Sequence, residues 1–140
     1  MIAALQMRPA AAAEAPEARP GVLVAYLREV VLGPRDNRER CHAIFLDPAR
    51  RYLGDASVGE GGRFALCLRM REIFAEALRL DAHGIILAHN HPSGECRPSD
   101  HDIASTRQLA EVARSLDVEL LDHLIITEET VYSMRAGGLL

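Results

Sequence analysis

Gly84-Ile-Ile-Leu-Ala-His-Asn-His-Pro-Ser-Gly-Glu-Cys-Arg-Pro-Ser-Asp-His-Asp102 decides how this chain is read. Gly84 to Ala88 is a short, continuous apolar run, the pattern of a buried strand. His89 and His91 stand at its end, at i and i+2. Extended chain points such residues to one side, so their ring nitrogens can converge on one ion. His89 to Pro98 reads as a loop, with Pro92-Ser93-Gly94 a turn that lets the chain leave the strand sharply. Ser99 then opens a helix carrying Ile103, Leu109, Val112, Ala113 and Leu116. Asp102, in its first turn, could add an oxygen as third ligand. Two nitrogens and one carboxylate oxygen, with a fourth position open to water, form a catalytic zinc arrangement; a closed structural site would use more cysteine. The residues also have a purely structural account. Ser99 to Asp102 is S-x-x-D, which matches a capping box with Ser99 as N-cap and Asp102 at N3. A His-x-His pair alone is a weak signal. The two accounts compete only in part, since Ser99 can cap while Asp102 points at an ion.

Outward from this stretch, the pattern alternates between helix and strand. Val22, Leu23, Tyr26, Leu27 and Val30 recur at helical spacing, and Gly33-Pro34 stops that helix. Cys41 to Asp47 is short and apolar, a buried strand; Pro48 to Arg51 makes a turn, and Tyr52 to Val58 is its hairpin partner. Gly59, Gly61 and Gly62 mark a loop. Leu68 to Leu80 turns helical, with Ile73, Phe74, Ala77 and Leu78 on one side. Val118 to Thr127 and Thr130 to Met134 read as closing strands, the first a candidate edge for pairing between chains. No regular βαβ rhythm or internal repeat occurs. The expected class is α/β (α+β): a mixed β-sheet flanked by helices. Residues 1–20 are rich in Ala, Pro and Glu and carry Pro9, Pro16 and Pro20, so a disordered tail is expected there, with one domain over 21–140.

Composition narrows the function classes. The chain has 140 residues, 49% apolar and 26% charged, enough for one domain with a core. Net charge is −4, so a broadly basic nucleic-acid footprint is missing. Every one of the 16 cations is Arg, which removes lysine chemistry such as Schiff bases and a P-loop lysine. No apolar run approaches the roughly 18 residues of a membrane helix. The three cysteines Cys41, Cys67 and Cys96 form an odd set without CxxC, which suits a reducing compartment. The N-terminal stretch lacks the order of a signal peptide, since Arg8 and Pro9 follow the apolar residues. A soluble, cytoplasmic protein is expected.

His89, His91, Ser99 and Asp102 fit the JAMM metalloprotease signature without a gap: His, any residue, His, seven residues, Ser, two residues, Asp. The wording HNHPSG and the later Leu120-Leu-Asp-His-Leu-Ile-Ile126 resemble the RadC branch of the JAB/MPN fold in particular. The resemblance runs from about Val22 to the C-terminus, and its parts come in the family's order. It implies a JAB/MPN-like, cytidine-deaminase-like sandwich. It implies one Zn²⁺ per chain on His89, His91 and Asp102, with Ser99 helping to position the water or stabilise an oxyanion. It also implies an upstream glutamate as general base. Glu39, just before Cys41-His-Ala-Ile-Phe-Leu46, stands in the matching place, with Glu60 and Glu72 as competitors; without such a role it is a solvated charge beside Arg38 and Arg40. The implied reaction is hydrolysis of a peptide or isopeptide bond by a metal-activated water, the carboxylate moving the proton. Fuller relatives carry an N-terminal helix-hairpin-helix region associated with DNA. Here a short tail precedes the domain, so nucleic acid is not an expected partner, nor is a membrane.

Other residues invite weaker readings. Cys96 lies in the ligand loop and could be a fourth ligand or an inhibitory thiolate, though a loop cysteine without a role is favoured. Cys41 and Cys67 suit small buried positions. His42 and His83 have no nameable partner, and His101 should be exposed. Asp122 and His123 face opposite ways on a strand, and one of them suits a structural hydrogen bond. The competing function is a non-catalytic RadC-family module that binds a protein or nucleic acid in DNA repair or mobile-element biology. A zinc nucleoside deaminase needs H-x-E and P-C-x-x-C, which this chain lacks. A nuclease would require DNA binding that survives physiological salt.

Overall fold

The computed structural model describes residues 20–61 and 66–140. The expected tail at 1–20 and Gly62 of the expected loop thus lie outside the described residues, save Pro20, which opens the first helix. In chain order the elements are α1 (Pro20–Leu32), β1 (Glu39–Leu46), β2 (Tyr52–Gly61), β3 (Leu66–Leu68), α2 (Met70–Arg79), β4 (Gly84–Asn90), α3 (Asp100–Ser115), β5 (Glu119–Ile126) and β6 (Val131–Ser133). The strands form one sheet in the order β3-β2-β1-β4-β5-β6. All neighbours are antiparallel except β4 and β5, which are parallel. A parallel pair needs a crossover, and α3 supplies it. The mixed sheet flanked by helices is the class expected from the sequence.

Strand alternation sorts the core into two layers. Cys41, Ala43 and Phe45 of β1 and Ile85 and Leu87 of β4 pack with Ile73, Phe74 and Ala77 of α2 and Leu109 and Ala113 of α3. The intervening residues Ile44, Leu46 and Ala88 face the other way and pack with Leu23, Leu27 and Val31 of α1. At β1–β2, Asp47 closes the hairpin: its Oδ1 accepts the backbone N–H groups of Ala49 and Arg51 at 2.9 and 2.8 Å. An aspartate side chain that mimics a backbone turn is the reason such residues favour these positions. Under α1, the buried Asp55 of β2 accepts hydrogen bonds from Tyr26, Tyr52 and His42 Nε2. His42 thus has a partner that the sequence did not disclose.

Several expectations are corrected. Gly59 and Gly61 are not in a loop, because β2 runs on to Gly61 and pairs with both β1 and β3. Leu66–Leu68 is a strand and the helix starts at Met70, so the apolar residue Leu68 belongs to the sheet. Leu78 is 58% exposed, while Glu76 is buried and ion-paired with Arg79. β5 is not an edge, since β6 covers it. Among the described residues, no helix is long and apolar enough to cross a membrane.

Candidate metal centre

His89 is the penultimate residue of β4, and alternation puts it on the α3 face with Leu87. The apolar run ends at Ala88, but pairing of Cys41 with His89 carries the strand further. His91 follows the strand, held by its backbone N–H on the Ile126 carbonyl at 3.2 Å. Asp102 comes from the first turn of α3. The three meet: His89 Nε2 lies 2.8 Å from His91 Nε2, and Asp102 Oδ2 lies 3.2 Å from His91 Nε2 and 3.5 Å from His89 Nε2. One ligand atom from each, all within 4.8 Å of one another, makes a set that could hold a metal ion.

Helix capping and this convergence use the same carboxylate. Ser99 Oγ accepts the Asp102 N–H at 3.0 Å, and Asp102 Oδ2 accepts the Ser99 N–H at 2.9 Å, the full capping box. The cap therefore aims Asp102 at the histidines. Burial opposes charge on Asp102, but hydrogen bonds to His89 and His91 outweigh it and hold its pKa far below the ordinary carboxylate range. Burial likewise opposes charge on His91. The hydrogen bonds to Asp102 and to the Glu95 carbonyl outweigh it and raise the His91 pKa, with support from the charge of Glu39.

Glu39, the glutamate expected as base, is set by β1. Glu39 opens β1 two residues before Cys41, hence on the face that carries Cys41 and its partner His89. Glu60 pairs with Arg40 and falls on the opposite face, exposed. Glu72 lies in the first turn of α2 beside Arg69. Asn90 is a residue the sequence reading passed over. Its Oδ1 accepts the Arg40 N–H at 2.6 Å and its Nδ2 donates to the Arg38 carbonyl at 2.8 Å. Where the β1–β4 backbone ladder stops, this side chain continues it and clamps both neighbours of Glu39. A signal for it existed in the motif itself, as the residue between two histidines whose side chain must point to the other face.

His123 on β5 and Thr106 on α3 form a buried chain behind His89. His89 Nδ1 lies 2.6 Å from His123 Nε2, and His123 Nδ1 lies 2.7 Å from Thr106 Oγ1. Burial holds the His123 pKa well below its ordinary value, with the neighbouring imidazoles adding to the effect. Asp122, on the other face, accepts its own strand's His123 N–H and the hydroxyl of Ser133. Both members of the Asp122-His123 pair are thus hydrogen-bonded. Cys96 Sγ lies 2.7 Å from Thr130 Oγ1. Cys41 is fully buried; the side chain of Cys67 lies outside those described. His101 is exposed and near Ser105. Beside His91 opens a cleft of about 420 Å³, bordered by Leu32, Arg35, Arg40, Asn90 and Glu128.

A sheet with helices on both faces and a His-His-Asp set at a strand end define a JAB-type domain. The model of the family described as RadC-like JAB domain matches residues 18–139, and the chain belongs to that family. It is similar to proteins called UPF0758 protein, a name that states no activity. The Roseiflexus castenholzii relative is 42% identical over 115 residues, covering 82% of this chain and 49% of the relative. The Bordetella avium relative is 40% identical over 73% of this chain and 45% of its own length. For Aquifex aeolicus the figures are 39%, 75% and 46%. The chain spans about half the length of the curated relatives it matches.

Proposed function

We propose that this domain is a zinc-dependent hydrolase that cleaves a peptide or isopeptide bond in the cytoplasm. The carrying observation is the convergence of His89 Nε2, His91 Nε2 and Asp102 Oδ2. The donor chemistry fits the ion. His91 Nδ1 lies 2.7 Å from the Glu95 carbonyl oxygen, which can only accept. In the neutral ring the His91 proton therefore belongs on Nδ1, leaving a lone pair on Nε2. Two imidazole nitrogens and one carboxylate oxygen match a catalytic rather than a structural zinc set.

When bound, zinc would supply Lewis acidity and an activated water. Glu39 would take the proton from that water and return it to the leaving amine. Ser99 spends its oxygen as a cap acceptor but keeps its hydroxyl proton, which can stabilise a developing oxyanion.

The test is hydrolysis of a quenched-fluorescence peptide library by zinc-loaded protein, beside Glu39→Gln. Cleavage that is lost in Glu39→Gln while zinc content is retained supports the reading. A zinc-loaded chain that cleaves nothing in the library counts for the non-catalytic module instead.

A further inference from the structure

A histidine holds a metal only through the ring nitrogen that lacks a proton. For His89 that nitrogen must be Nε2, and something must keep the proton on Nδ1. The hydrogen-bond chain behind His89 can be read from its far end. Thr106 Oγ1 lies 2.6 Å from the Asp102 carbonyl oxygen. A carbonyl only accepts, so the Thr106 hydroxyl spends its proton there. Its oxygen is then an acceptor, and His123 donates to it from Nδ1 across 2.7 Å. His123 is 1% exposed, with an imidazole at one ring nitrogen and a hydroxyl at the other. Such a dry setting favours the neutral ring. A neutral His123 with its proton on Nδ1 has a lone pair on Nε2, which accepts from His89 Nδ1 across 2.6 Å. In the neutral ring the lone pair of His89 is then left on Nε2, toward His91 and Asp102.

We propose that His123 and Thr106 are positioning residues that fix the tautomer of His89, so that Nε2 faces the metal position as a ready ligand. The inference rests on the metal-site reading above, but the tautomer is a property of the metal-free chain. The chain also links two ligands from different elements. Thr106 reaches back one helical turn to the carbonyl of Asp102, while His123 reaches across the β4–β5 pair to His89. Partners of this kind behind a ligating histidine commonly set metal affinity by 10- to 100-fold.

Thr106→Val keeps the shape but removes the hydroxyl. His123 then loses its acceptor, can carry its proton on Nε2, and would donate to His89 Nδ1, moving the His89 proton to Nε2. Two-bond ¹H–¹⁵N correlation spectra of the metal-free chain, labelled at histidine and held at mildly alkaline pH, read the tautomers directly. The expected result is Nδ1–H for His89 in the wild type, Nε2–H or a mixture in Thr106→Val, and the wild-type pattern in Thr106→Ser. Zinc affinity by chelator competition should fall about 10- to 100-fold in Thr106→Val and recover in Thr106→Ser. Nε2–H for His89 in the wild type would overturn the proposal, as would an unchanged tautomer in Thr106→Val. A tautomer that switches as expected in a chain that takes up no zinc would sustain the relay and overturn the metal-site reading beneath it.

Discussion

Asn90 and Asp102 each do two jobs with one side chain. Asn90 continues the ladder between β1 and β4 where backbone pairing ends, and in doing so holds Arg38 and Arg40 on either side of Glu39. Asn90→Ala leaves the partly buried Arg40 N–H without its acceptor, at a cost of about 1–3 kcal/mol. Hydrogen exchange should show the Arg40 amide losing protection while amides in the middle of β1 keep theirs; unchanged protection would mean the clamp carries no weight. Asp102 was legible from spacing, since the S-x-x-D pattern names both the cap and the carboxylate. The role of Asn90 was not, because it depends on which strand lies beside β4. The partner of His123 was hidden for the same reason: Leu87 meets His123 only once β4 and β5 are paired in parallel. Local pattern fixes which face a residue takes, and leaves open what stands opposite.

Elements carry the next layer of the account. α3 begins where Ser99 caps it, and its cap also orients Asp102, so stability and site geometry share one turn. Ser99→Ala should lower stability by about 1 kcal/mol, the usual cost of a lost N-cap, and should weaken zinc binding as well. Denaturation with and without zinc separates the two effects; a loss of stability with undiminished zinc affinity would show that Asp102 needs no cap to point at the histidines. On the opposite face, α1 is held by Leu23, Leu27 and Val31 and by the Tyr26 hydrogen bond to Asp55. Leu27→Ala removes a fully buried side chain and should cost about 3 kcal/mol in chemical denaturation. The helical spacing over Val22–Leu32 made α1 readable in advance. β3 was not readable, because Leu66–Leu68 is only three residues long and runs straight into the helical pattern. The glycines at 59 and 61 read as loop signals, but antiparallel partners on both sides hold them in a strand.

At the scale of the whole molecule, acid stability depends on two buried aspartates. Burial would raise Asp55, but hydrogen bonds from His42, Tyr26 and Tyr52 outweigh it and lower its pKa. Asp102 is lowered by its histidines against the same opposition. A carboxyl with a depressed folded pKa contributes stability that is present above its unfolded value, about 3.9 for Asp, and is lost as pH falls through the folded value. Metal-free protein should therefore lose stability progressively below about pH 4, and Asp55→Asn should flatten that limb in a urea-midpoint series. His91 acts in the opposite sense. Its raised pKa gives stability that is full below its unfolded value, about 6.5, and fades as pH rises through the folded value.

The central claim is that His89, His91 and Asp102 form a metal centre, and elemental analysis of the untagged chain tests it most directly, beside the His89→Ala/His91→Ala double variant. The expected result is about one zinc per wild-type chain, with none in the variant. No metal in the wild type, even after zinc is added back, would contradict the account and leave a capped helix with two histidines beside it.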